Sequence, residues 1–332
     1  VLLVFAGTLL AVLIMVYAER RVSAFMQGRL GPNRVGPQGL LQPIADGIKF
    51  LMKEDIIPDG VNKPIYLLAP VIMLIPALMT FAVIPFGSTI TLFDRDIILQ
   101  VADVNIGILY ILALTSIGVY GIVLAGWASN SKYTLIGGLR SSAQLISYEL
   151  ALGLSVVSII LMSGSLRLND IVADQQGYFL SWYVFKQPLA FLIFLIATYA
   201  ETNRLPFDLA EAEQELVGGY HTEYSSMKFA MFFMSEYANM ITAAALTVTL
   251  FFGGWDVPLL DEKSLGIWGA MLSVASFILK MGFFLFLFIW IRWTFPRFRY
   301  DQLMKLGWKV LLPLSLVNIF ITAGYLTLAA LK

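Results

Sequence analysis

Long stretches without any charged residue dominate the hydrophobic pattern of this chain. Such stretches separate Lys63 from Asp94, Asp103 from Lys132, Glu236 from Asp256, and Lys309 from Lys332. A bilayer core about 30 Å thick requires roughly 20 apolar residues in a helix, and these stretches meet that requirement. The pattern predicts eight membrane helices near residues 1–18, 64–86, 104–127, 141–163, 188–202, 226–252, 265–291 and 307–331.

Composition supports this prediction and narrows the chemistry. The 332 residues are 59% hydrophobic and 13% charged, whereas soluble domains carry about 25% charged residues. We therefore expect an all-α polytopic membrane helix bundle that forms a single integral membrane domain over residues 1–332. The chain has no Cys and one His, which excludes thiolate zinc sites, iron–sulfur ligation and bis-His haem. Its net charge of +0 argues against nucleic acid as a partner.

Lys and Arg are distributed unequally between the connecting loops. The odd-numbered loops hold fourteen of them and the even-numbered loops four. Because cytoplasmic loops are enriched in these residues, the odd loops are expected to face the cytoplasm and both termini the opposite, periplasmic side. The predicted cytoplasmic loops are 19–63, 128–140, 203–225 and 292–306.

Three charged residues fall deep inside predicted membrane helices, far from the helix ends. Glu149, Glu236 and Lys280 lie roughly 12–18 Å below the inner surface, at about 1.5 Å of rise per residue. A charge at that depth costs about 2.5–3.5 kcal/mol on insertion scales, so it usually faces a partner or a wet cavity. A structural Glu–Lys pair would satisfy the pattern, but three such groups on different helices favour a path for protons.

Loop five, between the fifth and sixth helices, is rich in acidic residues. Pro206 and the pair Gly218–Gly219 bracket a predicted short helix over 207–217. Asp208, Glu211 and Glu215 share one face of this helix, and Glu213 points elsewhere. A solvated acidic helix would explain the charges, whereas the position beside Glu201, between two membrane helices, favours a functional role.

Loops one and seven combine basic residues with membrane-surface features. The glycine- and proline-rich segment 27–39 excludes regular structure, and it lacks the Gly-Lys-Ser/Thr of a P-loop. Leu40–Lys53 predicts an amphipathic helix at the interface, either a surface anchor or the lip of an opening to the lipid. Arg292–Tyr300 mixes cations with aromatic rings, as membrane-interface belts also do. The lone His221 is assigned no role.

Several runs of the sequence closely resemble one protein family. The runs are Glu19–Arg21 with Gln27–Pro37, Leu40–Lys49, Ala200–Asp208, Glu211–Val217 and Pro296–Asp301. The family is the H-type membrane subunit of the proton-pumping NADH:quinone oxidoreductase, respiratory complex I. The resemblance covers essentially the whole chain.

This resemblance implies that the chain forms the quinone portal and the floor of the quinone chamber. It also implies that buried carboxylates couple quinone reduction to proton translocation. The residues expected at the quinone are Arg20, Gln27, Arg29, Asp46, Phe207, Arg292 and Arg297. The residues expected to carry protons are Glu149, Glu201, Asp208, Glu211, Glu213, Glu215, Glu223 and Glu236. We add Lys280 to the second set, as a counter-charge to Glu149 and Glu236.

The resemblance further implies partners and a location. No redox centre is expected in this chain, and FMN and iron–sulfur clusters are expected in partner subunits, with quinone as the substrate. The expected partners are the hydrophilic subunits that carry the terminal iron–sulfur cluster and the neighbouring small membrane subunits, in the bacterial inner membrane. Two alternatives stay open: the related subunit of a membrane-bound hydrogenase, and a stand-alone ion transporter.

Overall fold

The chain folds into a bundle of membrane-length helices. The computed structural model describes residues 1–92, 95–208, 217–258, 260 and 266–331, with only the backbone considered for 91, 92, 95 and 96. Its helices are α1 Leu2–Met26, α2 Gln42–Met52, α3 Lys63–Met79, α4 Gly107–Ala128, α5 Lys132–Ser163, α6 Leu168–Ala173, α7 Tyr183–Lys186, α8 Pro188–Glu201, α9 Ser226–Phe251, α10 Ile267–Thr294, α11 Tyr300–Lys305 and α12 Leu312–Ala330. A π-helical turn, Leu306–Leu311, joins α11 to α12.

Helix lengths agree with a polytopic membrane protein. Within the described ranges, seven helical segments are long and apolar enough to cross a bilayer, and α8 is a shorter apolar helix. The all-α fold class is therefore confirmed. One small feature was not predicted: strands β1, Ile90–Leu92, and β2, Arg95–Ile97, form an antiparallel hairpin with Ile90 opposite Ile97.

Some helix ends differ from the apolar boundaries in the sequence. Helix α1 continues to Met26 instead of ending near residue 18, and α5 begins at Lys132 instead of near 141. Polar residues in these extensions are satisfied inside the protein: Glu19 in α1, for example, pairs with Arg204. The apolar pattern shows which residues contact lipid. A helix ends where its backbone N–H and C=O groups no longer find hydrogen-bond partners within the helix.

Helix α9 is the buried centre of the bundle. Its most apolar window is 67% buried, against 22% for the corresponding windows of α1, α10 and the α11–α12 segment. It packs against α3, α10 and α1, while α5 packs against α4, α8 and α12. Large side chains such as Phe283 and Phe320 are exposed on the outer helices. Such exposure is typical of surfaces covered by lipid or by other subunits.

The amphipathic helix of loop one is confirmed as α2. Its apolar residues Ile44 and Ile48 are exposed on one side. The following segment is fastened to the start of α9, where the Ser226 hydroxyl donates to the backbone carbonyls of Phe50 and Lys53. The helix predicted over 207–217 falls mostly on residues 209–216, which lie outside the described residues.

Candidate functional site

Three of the predicted carboxylates meet at one small cavity, which we call the carboxylate cavity. Glu149 from α5, Glu201 from the end of α8 and Glu236 from α9 line a space of about 20 Å³. That volume is enough for one water molecule. The other lining residues are Met73, Thr115, Gly118, Val119, Ile122, Leu145, Thr202, Asn203 and Asn239.

Two of these carboxyl groups accept a hydrogen bond from a hydroxyl group. Ser116 on α4 donates to Glu149. The Tyr220 hydroxyl donates to Glu236 at 3.0 Å. Glu201 also lies close enough to Glu149 to interact with its charge.

A second, wider cavity opens beside loop one, and we call it the portal pocket. It encloses about 440 Å³ and contains three of the predicted quinone residues, Arg20, Arg29 and Arg292. Trp293 and Tyr237 contribute aromatic surface. The remaining lining residues are Glu19, Ser23, Ala24, Leu30, Gly31 and Pro32. Apolar and aromatic walls with a few convergent charges are typical of sites for organic ligands.

Glu19 lines the portal pocket and bridges two arginines, although no separate role was predicted for it from the sequence. Its side chain is buried and pairs with Arg204 of loop five at 3.0 Å and with Arg292 of α10. The Arg204 guanidinium lies 4.5 Å from the ring centre of Tyr237. Tyr237 lines the portal pocket, and the adjacent Glu236 lines the carboxylate cavity. The sequence offered one signal for this role: Glu19 is the first charged residue after the apolar run 1–18.

Two more predicted quinone residues, Asp46 and Arg297, form ion pairs with other predicted residues. Arg20 forms an ion pair with Asp46 of α2. Arg297 of loop seven pairs with Asp208 of loop five at 2.9 Å. Phe207 is buried rather than open to a ligand, and its ring packs 5.4 Å from Tyr148. The Arg297–Asp208 pair joins loops five and seven, whereas the Arg20–Asp46 pair joins α1 to α2.

The remaining predicted residues lie elsewhere or outside the described ranges. Gln27 is exposed at the end of α1 and does not line the portal pocket. Glu223 is half-buried in loop five, and its backbone carbonyl accepts a hydrogen bond from Tyr66. His221, which received no role, packs against the ring of Phe229. Glu211, Glu213 and Glu215 lie outside the described residues.

Lys280 belongs to α10, and its ammonium group lies beside the C-terminal end of α9, away from the carboxylate cavity. Its ammonium group donates to the backbone carbonyls of Phe252, Gly254 and Asp256, at 2.9, 3.1 and 2.7 Å. The ring centre of Trp182 is 4.6 Å from the same nitrogen. These contacts differ from the counter-charge role suggested by depth along the sequence, because α9 ends at Phe251 and carbonyls of the turn that follows it face the cation.

Two titratable groups in the loops have shifted pKa values. Burial raises the pKa of Tyr224, which stacks on Tyr66 with ring centres 4.1 Å apart. The hydrogen bond from the Arg167 guanidinium lowers the pKa of Asp103 at the opposite end of the bundle. Tyr224 therefore stays neutral and Asp103 stays ionised over the physiological range.

Comparisons with known proteins agree over nearly the full chain. A family profile described as NADH dehydrogenase matches residues 1–323. The first of two H-type subunits of NADH-quinone oxidoreductase from Geobacter sulfurreducens is 58% identical over 333 residues, which cover 97% of this chain and 92% of that protein. The second H-type subunit from Koribacter versatilis is 54% identical, with 99% and 96% covered. NADH-quinone oxidoreductase subunit 8 of Rhodothermus marinus is 55% identical, with 97% and 94% covered.

Proposed function

The chain belongs to the NADH dehydrogenase family as an H-type subunit of NADH-quinone oxidoreductase, and we propose that it builds the quinone portal and couples quinone reduction to proton translocation. It is a membrane subunit of an enzyme complex, and other subunits of that complex are its partners. Iron–sulfur clusters are assigned to those partners, since Cys is absent from this chain, and FMN is assigned to them on the family resemblance. Family membership favours this function over the hydrogenase and stand-alone transporter alternatives.

The portal pocket supports the quinone part of the proposal. A quinone ring offers two carbonyl oxygens, which accept hydrogen bonds, and an apolar face and tail. Arginine side chains supply donors, and Trp293 and Tyr237 supply flat apolar surface. Helix α2 is part of loop one. Its exposed apolar side forms a lip along which a lipid-soluble substrate enters.

The shared carboxylate cavity is the observation that carries the coupling part of the proposal. Reducing a quinone adds two electrons and requires two protons, so it draws protons and develops negative charge at the inner end of the chamber. Glu19 lines the portal pocket and pairs with Arg204, which follows the cavity residue Asn203, so such a change in field acts on this pair first. Glu149, Glu201 and Glu236 then exchange protons as a coupled set rather than as independent acids.

Replacing a single acid in the cavity tests this coupling. Glu201→Gln and Glu149→Gln keep the shape of the side chain and remove the titrating proton site. We expect quinone-coupled turnover and proton pumping to fall on the order of tenfold or more, the scale of a lost proton-transfer group. Electron transfer from NADH to a soluble artificial acceptor stays at the wild-type rate, because it bypasses this subunit.

Glu54→Gln is the matched control. Glu54 is exposed in loop one and contributes to neither cavity, so the same chemical change there leaves turnover and pumping intact. Full quinone-coupled turnover and pumping in both cavity variants would refute the proposed proton path.

We also propose an orientation in the bacterial membrane. The odd-numbered loops face the cytoplasm, and both termini face the opposite side, as the distribution of Lys and Arg predicts. The chain has no Cys, so single cysteines introduced at Gly60 and Gly177 can be labelled with an impermeant reagent. Labelling of Gly60→Cys from the periplasmic side of intact cells would reverse the assignment.

A further inference from the structure

One buried amide side chain holds the segment that leads from α8 into loop five. Gln144 of α5 is fully buried, and its Nε2 group donates to the backbone carbonyls of Ala200 and Phe207, each at 2.8 Å. The same group donates to the side-chain oxygen of Asn203 at 3.3 Å. Because a backbone carbonyl can only accept, the amide must face these carbonyls with its nitrogen. Gln144 therefore ties both ends of segment 200–207 to α5.

This segment contains residues of both parts of the candidate site. Glu201 and Asn203 line the carboxylate cavity. Arg204 pairs with Glu19 of the portal pocket. Asp208, the next residue after the segment, pairs with loop seven. A shift of the segment away from α5 would therefore displace a cavity acid and two ion pairs at once.

Helix α5 presents the carboxylate cavity and the tied segment with neighbouring faces. Leu145 and Glu149, four residues apart, both line the cavity. Gln144 and Tyr148, one residue earlier in each case, both contact the segment, where the Tyr148 ring packs 5.4 Å from that of Phe207. Successive residues lie about 100° apart around a helix with 3.6 residues per turn. One stretch of α5 thus carries a cavity acid and fixes the segment that completes the cavity.

We propose that Gln144 is a positioning residue for the proton path, which keeps Glu201 and Asn203 at the carboxylate cavity. Without its amide donor, the carbonyls of Ala200 and Phe207 lose a buried hydrogen-bond partner, which is unfavourable unless the segment turns them towards water. Such a turn takes Glu201 away from the other cavity acids. The inference rests on the proposed function, because it assumes that the cavity carries protons.

Cysteine labelling tests the positioning without any turnover. The chain has no Cys, so Thr202→Cys gives this subunit of the assembled complex a single thiol. Thr202 is 3% exposed, and a soluble maleimide should therefore label this thiol slowly. Gln144→Met keeps an unbranched side chain of similar length but removes the donor, so adding it should raise the labelling rate on the order of tenfold or more. An unchanged rate would overturn the proposal.

Gln175→Met is the matched control. Gln175 is also fully buried. Its amide nitrogen also donates to three acceptors, the backbone carbonyls of Ile171, Thr249 and Leu250. Losing this amide destabilises the protein but leaves segment 200–207 in place, so Thr202→Cys should label at its original rate.

Turnover separates positioning from a general loss of stability. Per assembled complex, Gln144→Met should lower quinone-coupled turnover on the order of tenfold or more, the scale of a misplaced reacting group. Gln175→Met should keep turnover close to the wild-type value. Equal losses in the two variants would show that Gln144 has only a structural role, and would overturn the proposal.

A milder substitution keeps the proposal testable if Gln144→Met fails to assemble. Gln144→Asn retains the amide but withdraws it from both carbonyls by one methylene group, so labelling of Thr202→Cys should rise several-fold. A rate equal to that of Thr202→Cys alone would overturn the proposal. Labelling needs no proton transfer, so unchanged labelling refutes the positioning role and leaves the coupling function standing. Normal pumping by Glu201→Gln refutes the coupling function and leaves the labelling result standing.

Discussion

Glu19→Gln removes a buried carboxylate that pairs with both Arg204 and Arg292. The side chain keeps its size, so the change isolates the charge. Glu19 and Arg204 are each 9% exposed at the side chain, whereas Arg292 is 34% exposed. The variant therefore leaves one well-buried guanidinium and one partly hydrated guanidinium without their shared partner.

The expected loss of stability follows from the geometry of this cluster. At the 3.0 Å separation of Glu19 and Arg204, an effective dielectric constant of about 20 gives roughly 5–6 kcal/mol of attraction. The cost of burying both ions offsets part of this, and removing one partner of a buried pair typically costs about 3–5 kcal/mol. Arg204 also stacks on Tyr237, so we expect the low end, about 3 kcal/mol. For a chain of this size that lowers Tm by roughly 4 °C.

Two assays check the prediction. Thermal unfolding of the detergent-solubilised protein measures Tm, with Glu54→Gln as the exposed control. Steady-state kinetics of the assembled complex measure the KM for quinone, which should rise several-fold because Arg292 loses its anchor at the portal pocket. The reasoning is refuted if Glu19→Gln unfolds within about 1 °C of the wild type and keeps its KM, a change too small for a lost buried ion pair.

Two more predictions concern packing and a surface charge pair. Gly137→Ala places a Cβ 2.8 Å from the backbone of Gly219 and should destabilise the protein by about 1–3 kcal/mol, whereas Gly153→Ala on the same helix meets nothing within 4 Å and should unfold at or slightly above the wild-type temperature. Equal Tm values for the two variants would contradict this. Arg167 lowers the pKa of Asp103 in the folded state, so the pair stabilises the protein above the unfolded pKa of about 3.9 and loses that effect as the pH falls through the lower folded value. Asp103→Asn should therefore lower Tm at neutral pH but not in strong acid, and a Tm difference independent of pH would exclude this pair as its cause.

This sequence predicts which segments are helical better than it predicts the residues at which the helices begin and end. An apolar run long enough to span a bilayer has few alternatives to a helix, because every backbone group must be satisfied internally. The extension of α1 to Met26 depends instead on the ion pair between Glu19 and Arg204, which are 185 residues apart in the sequence. No local pattern contains that pairing.

The sequence likewise predicted some residues of the candidate site but not all of their contacts. Depth along two helices identified Glu149 and Glu236, and the resemblance added Glu201; the structure then brought all three to one cavity. Depth failed as a guide to the contacts of Lys280, because α9 breaks at Phe252 and turns its carbonyls towards the cation. A residue count measures position along an axis and says nothing about where a neighbouring helix stops.

Sequence alone determined that this chain spans a membrane, that it supplies no cysteine ligand for a redox centre, and which acids must lie in apolar surroundings. These properties follow from composition and period, since the free energy of transfer into lipid is close to a sum over residues. Tertiary structure alone decided which charges meet: Glu19 with two arginines, Asp208 with Arg297, and the ammonium of Lys280 with a broken helix end. Such contacts depend on the crossing angles of the helices and on the rotation of each helix about its axis. Both are set by packing between segments that are distant in sequence.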